Sequence, residues 1–100
     1  MELSKLVEIL KRKLNVTWED PLTDSKLHEI IEDAKLTMDH KLGYEIDYSK
    51  PGQERTLFAN YCMYVWHDCS NEFDINYKNE INQIRKKYKV KRYVEKKNEV

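Results

Sequence analysis

The run His28-Glu29-Ile30-Ile31-Glu32 sets an imidazole and a carboxylate four residues apart. On a helix both share one face, as two ligands of a zinc hydrolase do. A catalytic zinc takes three protein ligands and keeps an open position. The run supplies neither a second histidine nor a third ligand, and its neighbours are acidic and surface-like, so no metal site is expected. Cys69 follows His67 by two residues. Side chains so spaced on a helix diverge, which leaves no nucleophile–base dyad. Cys62 and Cys69 are seven residues apart and would share a helix face. At a rise of about 1.5 Å per residue their Cα atoms lie about 10 Å apart, too far for a disulfide. They read as small buried hydrophobes of a reducing compartment. Glycine occurs only at positions 43 and 52, which excludes a glycine-rich phosphate cradle. None of the 18 carboxylates sits in an apolar context that would raise its pKa. The expectation is a protein without enzymatic activity or cofactor.

Two further groups bear on binding. Phe58, Tyr61, Tyr64 and Trp66 offer aromatic faces on which bases could stack, but no Lys or Arg occurs between residues 56 and 77. Packing in a core or against a neighbouring subunit is the better reading for these four. The second group is cationic. The chain has 18 basic and 18 acidic residues, yet residues 1–84 carry 10 and 16 of them, while residues 85–100 carry 8 and 2. A body of −6 with a tail of +6 suggests a tail that seeks an anionic surface. Nucleic acid, a membrane, an acidic protein face and a neighbouring copy would all serve, and the plainer alternative is a solvated, frayed terminus. A helix-turn-helix reader is not supported, because the connectors are long and the second helix is acidic.

The elements that must carry these groups follow from hydrophobic spacing in a chain of 100 residues with only 2 Gly and 2 Pro. That length gives one small domain, and that composition argues against a turn-rich β fold. No apolar run approaches the ~20 residues of a membrane helix, and the start, with Glu2, Lys5 and Glu8, lacks the core of a secretion signal. A soluble domain of intracellular type is expected. A first helix over 2–14 places Leu3, Leu6, Val7, Leu10 and Leu14 on one stripe, and Asn15 stops it. Trp18 is expected to fold back as a core lid. A second helix over 24–42 carries Leu27, Ile30, Ile31, Ala34, Met38 and Leu42, capped by Thr23 or Asp24, stapled by Leu22 and ended by Gly43. A linker over 44–50 alternates Tyr44, Ile46 and Tyr48. A long third helix over 51–72, capped by Ser49 with Pro51 in its first turn, is apolar around much of its circumference. A fourth repeats Tyr77, Ile81, Ile84 and Tyr88, and beyond Lys89 a basic tail is expected to order only on a partner. The fold class is all-α: a small bundle of about four helices with a long central helix and an extended basic C-terminal tail. Its division is a helical domain over 1–84 and a basic segment over 85–100.

Four stretches carry a resemblance. They are Asp24-Ser25-Lys26-Leu27-His28-Glu29-Ile30-Ile31-Glu32-Asp33-Ala34, Tyr61-Cys62-Met63-Tyr64-Val65-Trp66, Asn71-Glu72-Phe73, and Tyr77-Lys78-Asn79-Glu80-Ile81-Asn82-Gln83-Ile84-Arg85-Lys86-Lys87-Tyr88. In order and aromatic positions the chain resembles the small head–tail connector (adaptor, head completion) proteins of tailed bacteriophages, over roughly residues 2–90.

The resemblance implies a structural virion protein of the neck, assembled in the host bacterial cytoplasm. Copies would form a homo-oligomeric ring, commonly a dodecamer, beneath the portal protein. The ring extends the DNA channel, through which phage DNA passes without sequence-specific binding, and gives the stopper or tail-completion protein its seat. Membranes play no part. Portal contact would fall to the C-terminal segment through Arg85, Lys86, Tyr88, Lys89, Lys91, Arg92, Tyr93 and Val94. Subunit contact would fall to exposed parts of the second and third helices, with Phe58, Tyr61, Tyr64 and Trp66. Two rivals stand beside this reading: a small nucleic-acid-binding or regulatory helical protein that uses the basic tail, and a metal-dependent hydrolase through His28 and Glu32.

Overall fold

The structure is a computed structural model that describes residues 2–97. It is all-helical, with no strand among the described residues. Five α-helices follow one another: α1 (Leu3–Lys13), α2 (Pro21–Leu42), α3 (Gln53–Trp66), α4 (Phe73–Asn76) and α5 (Lys78–Lys97), with a 3-10 turn over Ser70–Glu72 before α4.

Helix α1 buries Leu6, Val7 and Leu10, and Lys11, Arg12 and Lys13 sit in its last turn, where cations suit the helix dipole. Asn15 takes the left-handed conformation expected of a stop, at φ 58°. Helix α2 starts three residues before the expected Asp24. Pro21 occupies its first position with φ already helical, and Asp20, which a following proline keeps extended, becomes the cap. Asp20 Oδ1 accepts the Leu22 N–H at 3.1 Å, and Oδ2 accepts the Thr23 hydroxyl at 3.1 Å. That start also overturns the staple and the lid: Leu22 and Trp18 are exposed. The six-residue stripe from Leu27 to Leu42 is buried as expected, and Gly43, at φ 73°, ends the helix.

Asp39 shapes the linker. Its Oδ1 accepts the Ile46 N–H at 3.2 Å and the Tyr48 hydroxyl at 2.8 Å, while Lys35 donates to its Oδ2 at 2.6 Å and to the Ile46 carbonyl at 3.2 Å. Ile46 and Tyr48 are thereby drawn into the core. Ser49 does not cap α3, because its N–H and hydroxyl both bond Asp47. Gly52, at φ 145°, takes the cap position, and Pro51 lies outside the helix.

The expected single helix over 51–72 is interrupted. α3 ends at Trp66, and Asp68 turns left-handed at φ 59°. The 3-10 turn and α4 then swing Phe73 inward among Tyr61, Tyr64 and Tyr77, at centroid distances of 4.9, 5.6 and 4.7 Å. Cys69 therefore lies beyond α3, not on its stripe.

α2 packs against α1, α3 and α5. Helix α5 seats Ile81, Ile84 and Tyr88 on the core. Beyond Lys89 the chain continues as helix to Lys97, where the sequence pattern predicts an extended tail. Lys, Arg and Glu are strong helix formers, and no Gly or Pro follows residue 52. Residues 98–100 of the basic segment lie outside the described residues.

Candidate docking interface on the C-terminal helix

The hydrophobic stripe of α5 ends at Tyr88, but its attachment does not. Tyr44, in the linker after α2, stacks on Tyr88 with centroids 4.7 Å apart. Its hydroxyl donates to Glu95 Oε1 at 2.9 Å and lies 3.2 Å from Oε2. That bond, with burial and the negative charge of Glu95, raises the Tyr44 phenol above its ordinary value. Lys91 lies over both rings, 5.1 Å from the centroid of Tyr44 and 5.7 Å from that of Tyr88. On the same side Lys87 donates to Glu54 at 2.6 Å, tying α5 to the start of α3. Burial pushes the Glu54 carboxyl up, but the hydrogen bond and charge of Lys87 outweigh it and leave the group below its ordinary value.

With this side attached, α5 presents two other faces. Val90, Tyr93 and Val94 are 64%, 68% and 49% exposed and form an apolar strip turned away from the core. The second face borders the end of α2 and carries a groove of about 440 Å³ lined by Leu42, Gly43, Asn82, Arg85, Lys86, Lys89 and Arg92. Arg92 reaches over Gly43, its guanidinium nitrogen 3.8 Å from where a side-chain carbon on that glycine would sit. A second groove of about 420 Å³ continues past Asn82 and Arg85 to Lys78, His40, Lys41 and Asp74. Asp74 is held by Lys41 at 2.7 Å.

The portal-contact residues expected from sequence divide accordingly. Arg85, Lys86, Lys89, Lys91, Arg92, Tyr93 and Val94 are exposed, whereas Tyr88 is buried under Tyr44 and serves as an anchor. The four aromatics expected at a subunit interface divide too. Phe58 and Tyr61 are spent on the chain's own core: Phe58 is stacked 4.3 Å from Tyr48, and Tyr61 meets Phe73 edge-on. Tyr64 and Trp66 are half-buried; Asn76 donates to the Tyr64 hydroxyl at 3.0 Å, and Lys26 lies 4.6 Å above the Trp66 ring.

His28 is half-buried and Glu32 exposed on α2, and no group of three or more His, Cys, Asp or Glu converges among the described residues. Burial pushes the Cys62 thiol up to about 12, and His67 is exposed at the end of α3. Among the described residues no helix is long and apolar enough to cross a membrane.

The clamp made by Tyr44, Lys91 and Glu95 escapes a reading that stops at the last apolar residue. Its signal is present: positions 91 and 95 continue the spacing of 81, 84 and 88 with long-stemmed charged residues, which can cover an aromatic ring with their methylenes. No family model, curated protein or solved structure matches the chain.

Proposed function

We propose that the chain is a structural adaptor of a tailed-phage neck, a ring subunit beneath the portal that extends the DNA channel and seats the stopper or tail proteins. The observation that carries this reading is the end of α5. Val90, Tyr93 and Val94 stand exposed beyond the Tyr44–Tyr88 anchor, with Lys86, Lys89 and Lys97 around them. An apolar strip rimmed by cations is the composition of a protein-docking surface that meets an acidic partner. Sequence resemblance supplies the identity of that partner, the portal. In this reading the basic C-terminal segment, already helical to Lys97, docks on the partner as part of α5.

Ring closure requires two different faces on each subunit. The exposed residues of α2 and α3 supply them, with Leu36, Tyr64 and Trp66 in place of the buried Phe58 and Tyr61. The subunit performs no catalysis; its work is geometric.

Co-sedimentation with purified portal rings, followed by electron microscopy, tests the proposal. The full chain is expected to bind as a ring, and a chain lacking residues 90–100, which keeps the Tyr88 anchor and the Lys87–Glu54 pair, to stay helical and unbound. Retained attachment by the shortened chain would sink the assignment of α5, and no attachment by the full chain would sink the adaptor reading.

A further inference from the structure

We propose that the cationic flank of α5, built from Arg85, Lys89 and Arg92 with Lys86 beside them, binds the phosphate backbone of duplex DNA without regard to sequence. These four side chains line one groove, and no carboxylate lines it with them. Among the described residues none of the four belongs to an ion pair. The groove opens at the C-terminus of α2, where orphan carbonyls amount to about half a negative charge. Four cations exceed that need severalfold, and the surplus has no ion-pair partner among the described residues.

Spacing favours a linear polyanion. Arg85, Lys89, Arg92 and Lys96 recur at i, i+4, i+7 and i+11 along one flank. At about 1.5 Å per residue they cover about 16 Å of helix axis. Over that length one DNA strand presents about five phosphates.

The chemistry also separates this flank from a protein site. A protein partner is held by buried aromatic or aliphatic anchors. On α5 those anchors are Val90, Tyr93 and Val94, and none of them lines the groove, whose Lys86 and Lys89 border both surfaces. The groove has no aromatic side chain on which an unpaired base could stack, which favours a duplex over a single strand. It therefore reads charge alone. This inference does not rest on the adaptor reading: phosphate contact through Arg85, Lys89 and Arg92 needs nothing seated on Val90, Tyr93 and Val94.

Fluorescence anisotropy of the full chain with a labelled duplex of about 20 base pairs, titrated across salt, tests it. Binding is expected to weaken with salt at a log–log slope of about −3 to −4, from about four neutralised phosphates. The R85Q/K89Q/R92Q variant is expected to lose at least about tenfold in affinity and to bring the slope to about −1. R85K/R92K, which keeps the charges, is expected to bind as the unaltered chain does. Lys5, Arg12 and Lys13 line a separate basic groove of about 380 Å³ with Arg55, so K5Q/R12Q/K13Q removes as much charge elsewhere. It is expected to leave binding in place. Equal losses in the two triple variants would overturn the proposal, as would polyglutamate competing as well as unlabelled duplex. Circular dichroism checks that each variant stays helical. V90S/Y93S/V94S is expected to keep DNA binding while losing portal attachment, so the two readings fail separately.

Discussion

Tyr44 grips α5 at two points one helical stretch apart: its ring stacks on Tyr88 at 4.7 Å and its hydroxyl donates to Glu95 at 2.9 Å. One linker residue thus holds the final turns of a helix whose apolar stripe has already ended. Aromatic pairs contribute about 0.5–1.5 kcal/mol beyond burial. Tyr44→Ala is expected to abolish amide-exchange protection beyond Tyr88, leaving α1 to α3 protected. Tyr44→Phe keeps the stack and is expected to lose protection only near Glu95. Hydrogen exchange resolved by fragment separates these outcomes.

Asp39 is the second residue on which the linker depends. It satisfies the Ile46 N–H, the Tyr48 hydroxyl and the Lys35 ammonium together. Asp39→Ala would leave two donors at the core edge without an acceptor, each costing about 1–3 kcal/mol. The expected loss is about 3 kcal/mol in urea unfolding, with the m-value unchanged. A loss below about 0.5 kcal/mol would mean that the linker is held by apolar burial alone.

Alkali should expose the same network. Burial, then the bond to Asp39, holds the Tyr48 phenol well above its ordinary value of 10.0. Its folded-state value is raised, so its contribution is complete below pH 10.0 and is lost as pH rises through the range above it. There the unfolded chain releases the phenolic proton and the native chain retains it. Stability is expected to fall by about 1.4 kcal/mol per pH unit from this group alone. Tyr48→Phe should be less stable at neutral pH but show a shallower alkaline decline.

Thiol chemistry gives a check on packing around α3. Burial pushes Cys62 up to about 12, so it is protonated and enclosed near neutrality. Iodoacetamide at about pH 8 is expected to spare Cys62 in the native chain and to modify it promptly in urea. Rapid native modification would show that α3 opens on the timescale of the reaction.

Much of the fold is legible in the sequence because its signals are local and repeated. The α2 stripe from Leu27 to Leu42 recurs at helical spacing, and Gly43 is the residue a left-handed stop requires. The break in α3 is not legible, since Tyr61, Tyr64, Cys69 and Phe73 fit one continuous stripe. What decides it is the inward turn of Phe73 among three tyrosines, a tertiary preference that overrides local pattern. The cap of α2 hides for a different reason: Thr23 and Asp24 are good caps, but Pro21 has already begun the helix. At the candidate interface, the charge of the C-terminal segment is plain in the sequence. Its sorting into a clamped side, an apolar strip and a basic groove requires the position of Tyr44, 44 residues before Tyr88.

The ring cluster around Phe73 has a mechanical consequence. It forms the elbow between α3 and α5, and α5 extends about 30 Å from that elbow. A tilt of about 10° there would carry the far end of the rod through about 5 Å, a swing that the seats of Ile81, Ile84 and Tyr88 and the Tyr44–Glu95 bond resist. Whatever seats on that far end has leverage over the bundle, and repacking at the elbow would re-aim it.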